Sequence, residues 1–139
     1  MQPKRDAVGS IHFYQQQNSR MKVINLENKF SLFSDQWSPK VIGQLNGQAV
    51  KLAKVQGEFV WHDHAHEDEL FMVIKGTLKI EFRNDTKVIK PGEILIVPRG
   101  VEHKPIAEEE VHLLLFEPMA TKHTGDVEHE MTQEELEWI

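Results

Sequence analysis

The stretch His62-Asp-His-Ala-His-Glu-Asp-Glu69 puts three imidazoles and four carboxylates into eight residues, directly ahead of an apolar run from Leu70 that ends at Gly76. In an extended chain, residues i and i+2 point to the same face. His62 and His64 therefore project together, roughly 7 Å apart by strand rise, and are placed to converge on one ion. Glu69 opens the next strand after a loop of hairpin length. On that strand Glu69, Phe71 and Val73 share a face. A carboxylate that points inward among apolar neighbours is costly unless a cation meets it.

Working outward, the chain reads as short strands punctuated by Gly and Pro. Gly76 turns into Thr77–Arg83, where Leu78, Ile80 and Phe82 alternate with Lys79, Glu81 and Arg83, an inward and an outward face. Asn84-Asp85 turns into Thr86–Lys90, Pro91-Gly92 into Ile94–Val97, and Pro98-Arg-Gly100 toward a short strand His103–Ala107. Val111–Phe116 is the last long strand, and Glu108-Glu-Glu110 reads as an exposed turn before it. Upstream, Val41–Leu45 and Ala49–Val55 flank Asn46-Gly47, a strong hairpin signal, and Gly57 marks a further turn before Phe59–His64. Val23–Leu26 reads as a strand and Phe30–Phe33 as a helical turn stopped by Ser38-Pro39. With about nine or ten short strands and no βαβ alternation, the pattern predicts an all-β sandwich or barrel.

The ends differ from this middle. Residues 1–20 are polar and net positive, and are expected to form a flexible or loosely docked leader ahead of a barrel domain over 21–125. Met21 is a possible alternative start. The segment 126–139 contains the capping box Thr132-Gln-Glu-Glu135, which predicts a short helical tail carrying Leu136, Trp138 and Ile139 against the barrel or a partner.

Composition narrows the function classes. The 139 residues suit one domain. Sixteen Lys and Arg against 22 Asp and Glu leave a net charge of −6, which argues against nucleic acid as the main partner. With no cysteine, there is no disulfide framework and no thiolate ligand. No apolar run approaches the roughly 18 residues of a membrane span, and no signal-peptide pattern is legible, so a cytoplasmic location without membrane attachment is expected.

One further imidazole stands behind a rigid turn: Pro98-x-Gly100 precedes His103. Three imidazoles and one carboxylate (His62, His64, Glu69 and His103) suit a divalent transition metal, Zn, Fe, Ni, Mn or Co. His66 has the same i, i+2 relation to His64, so spacing leaves a shifted register open. His112 reads as a surface or satisfied core histidine, His123 as a turn residue, and His12 and His129 as solvated. Trp61, Phe71, Phe82 and Phe116 read as barrel lining, and Arg99 and Lys104 as candidates to hold an anionic substrate.

At these residues the chain resembles the cupin superfamily. Gly57, His62, His64, Glu69 and Gly76 match its first motif, with one residue fewer than usual between Gly57 and His62. Gly92, Pro98, Gly100 and His103 match its second, with Ala107 where Asn often stands. The resemblance covers about residues 22–125 and is to small single-domain bacterial cupins, some labelled mannose-6-phosphate-isomerase-like. It implies a jelly-roll barrel, also called a double-stranded β-helix, with a metal site on those four ligands, and a homodimer. It also favours Trp61-His-x-His64 over the shifted register and implies that His66 is a loop residue near the mouth. Two functions follow as expectations. One is an enzyme acting on a small polar metabolite by isomerase-like or dioxygenase-like chemistry, with His66 or Glu102 as candidate base. The other is a non-catalytic module that binds or senses a small molecule, with a structural metal.

Overall fold

The computed structural model describes residues 21–121, 124–125 and 135–139, together with Ser10. A short helix, α1 (Leu26–Phe30), precedes β1 (Lys40–Leu45), β2 (Gln48–Glu58), β3 (Glu69–Lys75), β4 (Leu78–Phe82), β5 (Asp85–Ile89), β6 (Ile94–Val97), β7 (His103–Pro118) and β8 (Glu137–Trp138). The all-β architecture expected from the sequence is present.

Strand β7 is the spine. Along one edge it pairs antiparallel with β2, from Gln48↔Pro118 to Glu58↔Ile106. Along the other it pairs first with β4, at His103 to Ile106, and then with β3, at His112 to Phe116. The change of partner falls at Glu108-Glu109-Glu110. There Val55 pairs with Val111 while Gly57 pairs with Ala107, so three residues of β7 stand against Gln56 alone. Such a bulge bends the strand and increases its twist, and here it lets one sheet roll over on itself. The triple glutamate is thus a bulge and not a turn. The two strands expected on either side of it are one strand, because β2 continues past the bulge on the other edge.

Gly76, at the β3–β4 turn, packs into this bend. Its φ is +87°, and a Cβ there would meet the Glu110 carbonyl oxygen at 3.0 Å and Val111 Cγ2 at 3.1 Å. Only glycine fits both the turn and the approach. Strand alternation then fills the interior. Phe71 and Val73 of β3, Leu78 and Ile80 of β4, and Val111 and Leu113 of β7 meet in one apolar core.

Some local expectations are corrected. Val23–Leu26 is not a strand. The Asn25 side chain accepts a hydrogen bond from the Asn28 N–H at 2.9 Å and caps α1, whose Phe30 is buried against the His112 ring at 4.6 Å. Gly57 lies within β2, and Phe59–His64 makes only an isolated bridge at His62. Arg83 and Asn84 form the turn before β5, which starts at Asp85. The Asn46-Gly47 hairpin is as expected, with positive φ at both residues. At the C-terminal end, Thr132–Glu134 lie outside the described residues, as do residues 1–9 and 11–20 of the leader. Glu137 and Trp138 form β8, parallel to Lys40 and Val41 of β1. Buried Lys40 holds this end in place, donating to Glu137 at 2.6 Å and to Asp35 at 2.7 Å. No helix among the described residues is long and apolar enough to cross a membrane.

Candidate metal centre

His62 and His103 are fastened backbone to backbone. His62 N–H donates to the His103 carbonyl at 3.0 Å, and His103 N–H to the His62 carbonyl at 2.8 Å. The Gly100 N–H donates to the His64 carbonyl at 2.8 Å, and the Arg99 N–H to Asp68 Oδ1 at 2.8 Å. The Pro98-x-Gly100 turn therefore clamps the histidine loop and fixes where each ring can point.

The rings are aimed as well as placed. Nδ1 of His62 lies 2.9 Å from the Val60 carbonyl, and Nδ1 of His103 lies 2.9 Å from the Val101 carbonyl. A carbonyl only accepts, so each Nδ1 carries the proton and each Nε2 presents a lone pair. The Nε2 atoms of His62, His64 and His103 are all buried without a hydrogen-bond partner. Glu69 Oε1 stands 3.5 Å from His64 Nε2 and 3.7 Å from His103 Nε2. All four donor atoms lie within 4.8 Å of one another. Donors bound to one ion at about 2.0–2.2 Å are at most about 4.4 Å apart, so a contraction of a few tenths of an ångström closes the set. Three orphaned nitrogens around one carboxylate fit a divalent transition metal well.

Electrostatics separate the rings. Burial, with the neighbouring His103 second, lowers His62 to about 4, so its lone pair is free at neutral pH. Burial also disfavours a charged His64, but the Glu69 carboxylate beside it overrides this and raises that ring. Burial opposes ionisation of Glu69. The Glu117 carboxyl and the His103 and His64 rings around it outweigh this and hold Glu69 well below the usual carboxylate range.

Glu117 and Lys51 are functional candidates that sequence reasoning missed. One step beyond the Leu70↔Phe116 pair, Glu69 faces Glu117 across β3 and β7. Lys51 Nζ on β2 donates to Glu117 Oε1 at 2.9 Å and to the Thr121 carbonyl at 3.2 Å. Both side chains are essentially inaccessible, at 1% and 0%. Burial, and then the charge of Glu69 beside it, push Glu117 well above the usual range, and Lys51 pulls the other way. Glu117 Oε2 is buried without a hydrogen-bond partner, so Lys51 is the one side chain among the described residues that bonds this carboxyl. The signal was in the sequence: Glu117 continues the inward parity of Val111, Leu113 and Leu115, and Lys51 that of Ala49, Ala53 and Val55. Gly125 was missed too. At its φ of +61°, a Cβ would overlap the Asp63 carbonyl oxygen and lie 3.6 Å from His64 Nδ1, so the chain presses directly on the histidine loop.

Other candidates fall elsewhere. His66 is exposed and stands apart from the donor cluster. Glu102 is bound by Arg83 at 2.6 and 3.0 Å, and Arg83 in turn lies over the Trp61 ring at 3.8 Å. Neither is delivered to the centre as a base. Arg99 is paired with Asp68 and Lys104 with Glu58. Phe71 and Phe82 pack inward as expected, whereas Phe116 lies on the outer face of β7. His112 stacks on Phe30 and pairs with Glu110. His12, His123 and His129 lie outside the described residues.

A rolled antiparallel sheet with an inward cluster of three imidazoles and one carboxylate defines a cupin-type barrel with a candidate metal site. A family model described as Cupin domain matches residues 49–117. The crystal structure of a cupin-2 domain containing protein from Shewanella frigidimarina NCIMB 400 is 52% identical, covering 69% of this chain and 94% of that one, with a TM-score of 0.69. Protein NMB1881 from Neisseria meningitidis is 28% identical over 70% of this chain and 99% of that one, with a TM-score of 0.65. "Uncharacterized protein YdbB" of Bacillus subtilis (strain 168) is 41% identical over 64 residues, which span 45% of this chain and 57% of that relative. The chain belongs to the cupin superfamily.

Proposed function

We propose that this cupin binds a divalent transition metal through His62, His64, Glu69 and His103 and uses it to bind, and as an enzyme to transform, a small metabolite. The observation that carries this reading is the set of three buried Nε2 atoms without partners, facing Glu69 beside an open cavity that touches two of the four donors, His62 and Glu69. A centre that only pinned hairpins together would not need that space.

A bound metal would supply Lewis acidity or, as iron, oxygen-dependent chemistry. The chain's own part is orientation. The Val60 and Val101 carbonyls hold two rings by Nδ1, while Lys51 holds Glu117, which faces Glu69 across β3 and β7. Among the described residues, the cavity has no ionisable side chain besides His62 and Glu69. Among the described residues, proton-shuttling isomerisation finds no further base there. This favours dioxygenase-like chemistry, or binding without turnover, over the isomerase-like alternative.

A homodimer is part of the same proposal. On the outer face of the sheet, Ile96, Leu70, Phe116 and Val50 form one cross-strand row, and Ile94, Met72, Leu114 and Leu52 the next. Ile94 and Ile96 are 56% and 55% exposed. An apolar sheet face of this kind supports pairing with a second copy.

The test is spectroscopic. Cobalt- or iron-loaded protein should show a changed spectrum on adding azide or nitric oxide, which reports an exchangeable position. A tightly bound metal whose spectrum neither probe alters would instead make the metal structural.

A further inference from the structure

The cavity beside the metal donors also bears on what the site accepts. It is about 40 Å³ in volume, and its apolar lining includes Trp37, Pro39, Ala53, Pro105, Leu113 and Leu115. His62 and Glu69 supply its polar end, and among the described residues no lysine or arginine lines it. The cations nearest the motifs are committed elsewhere: Lys51 to Glu117, Arg99 to Asp68 and Lys104 to Glu58. A phosphate or a second carboxylate at the apolar end, away from the metal, would be desolvated without a counter-charge from the described residues, at a high cost.

One wall is unusually fixed. Trp37 adopts φ +58°, a conformation uncommon for a bulky residue. Its backbone N–H donates to the Lys54 carbonyl and its indole Nε1 to the Gln56 carbonyl, both at 2.9 Å. The ring stacks on Phe59 at 4.5 Å, and Phe59 meets His62 edge-on at 5.3 Å. An aromatic row held in this way sets the width of the cavity. A site for one water takes about 10–15 Å³ on this measure, so the space suits a body of only a few carbon atoms.

We infer that the ligand is a small molecule with a short hydrocarbon body in this cavity, carrying one or two adjacent oxygen donors at its metal-facing end and no phosphate. This rests on the metal-site reading above. It narrows the expected polar metabolite: only one end of the molecule is polar.

Alkyl hydroxamates test this on cobalt-loaded protein, because they chelate through two adjacent oxygens while the body is varied freely. Binding is read from the cobalt spectrum. From acetohydroxamate to butyrohydroxamate, affinity is expected to rise about fourfold per added methylene, with no further gain at octanohydroxamate. The 3-hydroxypropanohydroxamate isostere, which buries a hydroxyl in place of a methyl, should bind at least about tenfold more weakly than butyrohydroxamate. In Ala53→Leu the new atoms occupy the cavity and the gain with chain length disappears, with cobalt content and melting temperature checking the fold. If acetohydroxamate leaves the cobalt spectrum unchanged, the underlying metal-site reading fails. If acetohydroxamate binds but the longer chain or the apolar isostere brings no advantage, the ligand class is overturned while the metal site stands. Steady gain through octanohydroxamate would overturn the bounded cavity.

Discussion

Replacing Lys51 by methionine tests the inner row that runs from β2 through β7 to β3. The ammonium is buried, 2.9 Å from Glu117 Oε1 and 3.2 Å from the Thr121 carbonyl. Its removal leaves Glu117 and Glu69 facing each other in the interior with no lysine or arginine among the described residues paired to either. Breaking one partner of a buried pair typically costs about 3–5 kcal/mol. At a urea m-value of about 2 kcal/mol/M for a domain of this size, the unfolding midpoint of metal-free protein should fall by roughly 1.5 M or more. Replacing both partners with apolar residues is often neutral or stabilising, so Lys51→Met with Glu117→Leu should recover most of that loss. The assay is equilibrium urea unfolding of the single variants, the double variant and the parent, at matched protein concentration. A Lys51→Met variant that loses less than about 1 kcal/mol, or a double variant no more stable than the single, would refute the coupling between these side chains.

Other outcomes follow from the same geometry. His62→Ala and His103→Ala should each strip most metal from protein purified without chelators, whereas His66→Ala should not; equal loss from His66→Ala would mean that the ligand register is wrong. Gly125→Ala, whose new methyl collides with the Asp63 carbonyl beside His64, should weaken metal binding at least about tenfold, a loss of about 1.4 kcal/mol. Gly92→Ala, which meets nothing within 4 Å, should cost backbone strain of about 1 kcal/mol and leave metal affinity intact. In Ile96→Lys, a charge enters the exposed apolar row, and light scattering should report a monomer if that face pairs; an unchanged dimer would place the interface elsewhere.

The fold was legible because its signals are local. Asn46-Gly47 and the alternation through β4 depend on neighbours in sequence, and the structure follows them. The misreadings arise where a distant strand decides. Glu108–Glu110 looks like a turn until β2 is seen to run alongside, and Val23–Leu26 looks like a strand until the Asn25 cap and the Phe30–His112 stack are seen together. Parity alone left His64 and His66 open beside His62, and the family resemblance singled out the four donor residues, whose ligand atoms the structure places within 4.8 Å of one another. Their supports were not legible. Lys51 and Glu117 become partners only through the β2–β7 pairing, and Gly125 matters only because its segment returns to touch the histidine loop. Trp37 becomes a cavity wall through two hydrogen bonds to β2 carbonyls, which no spacing in the sequence announces.

The central claim is that one ion sits among the four donors. A crystal of chelator-free protein, with data collected on either side of the absorption edge of whichever metal elemental analysis detects, tests it most directly. The account predicts a single strong anomalous peak within about 2.5 Å of a donor atom from each of His62, His64, Glu69 and His103. Four side chains surrounding no such peak, in protein that has been offered zinc, iron and cobalt, would contradict it.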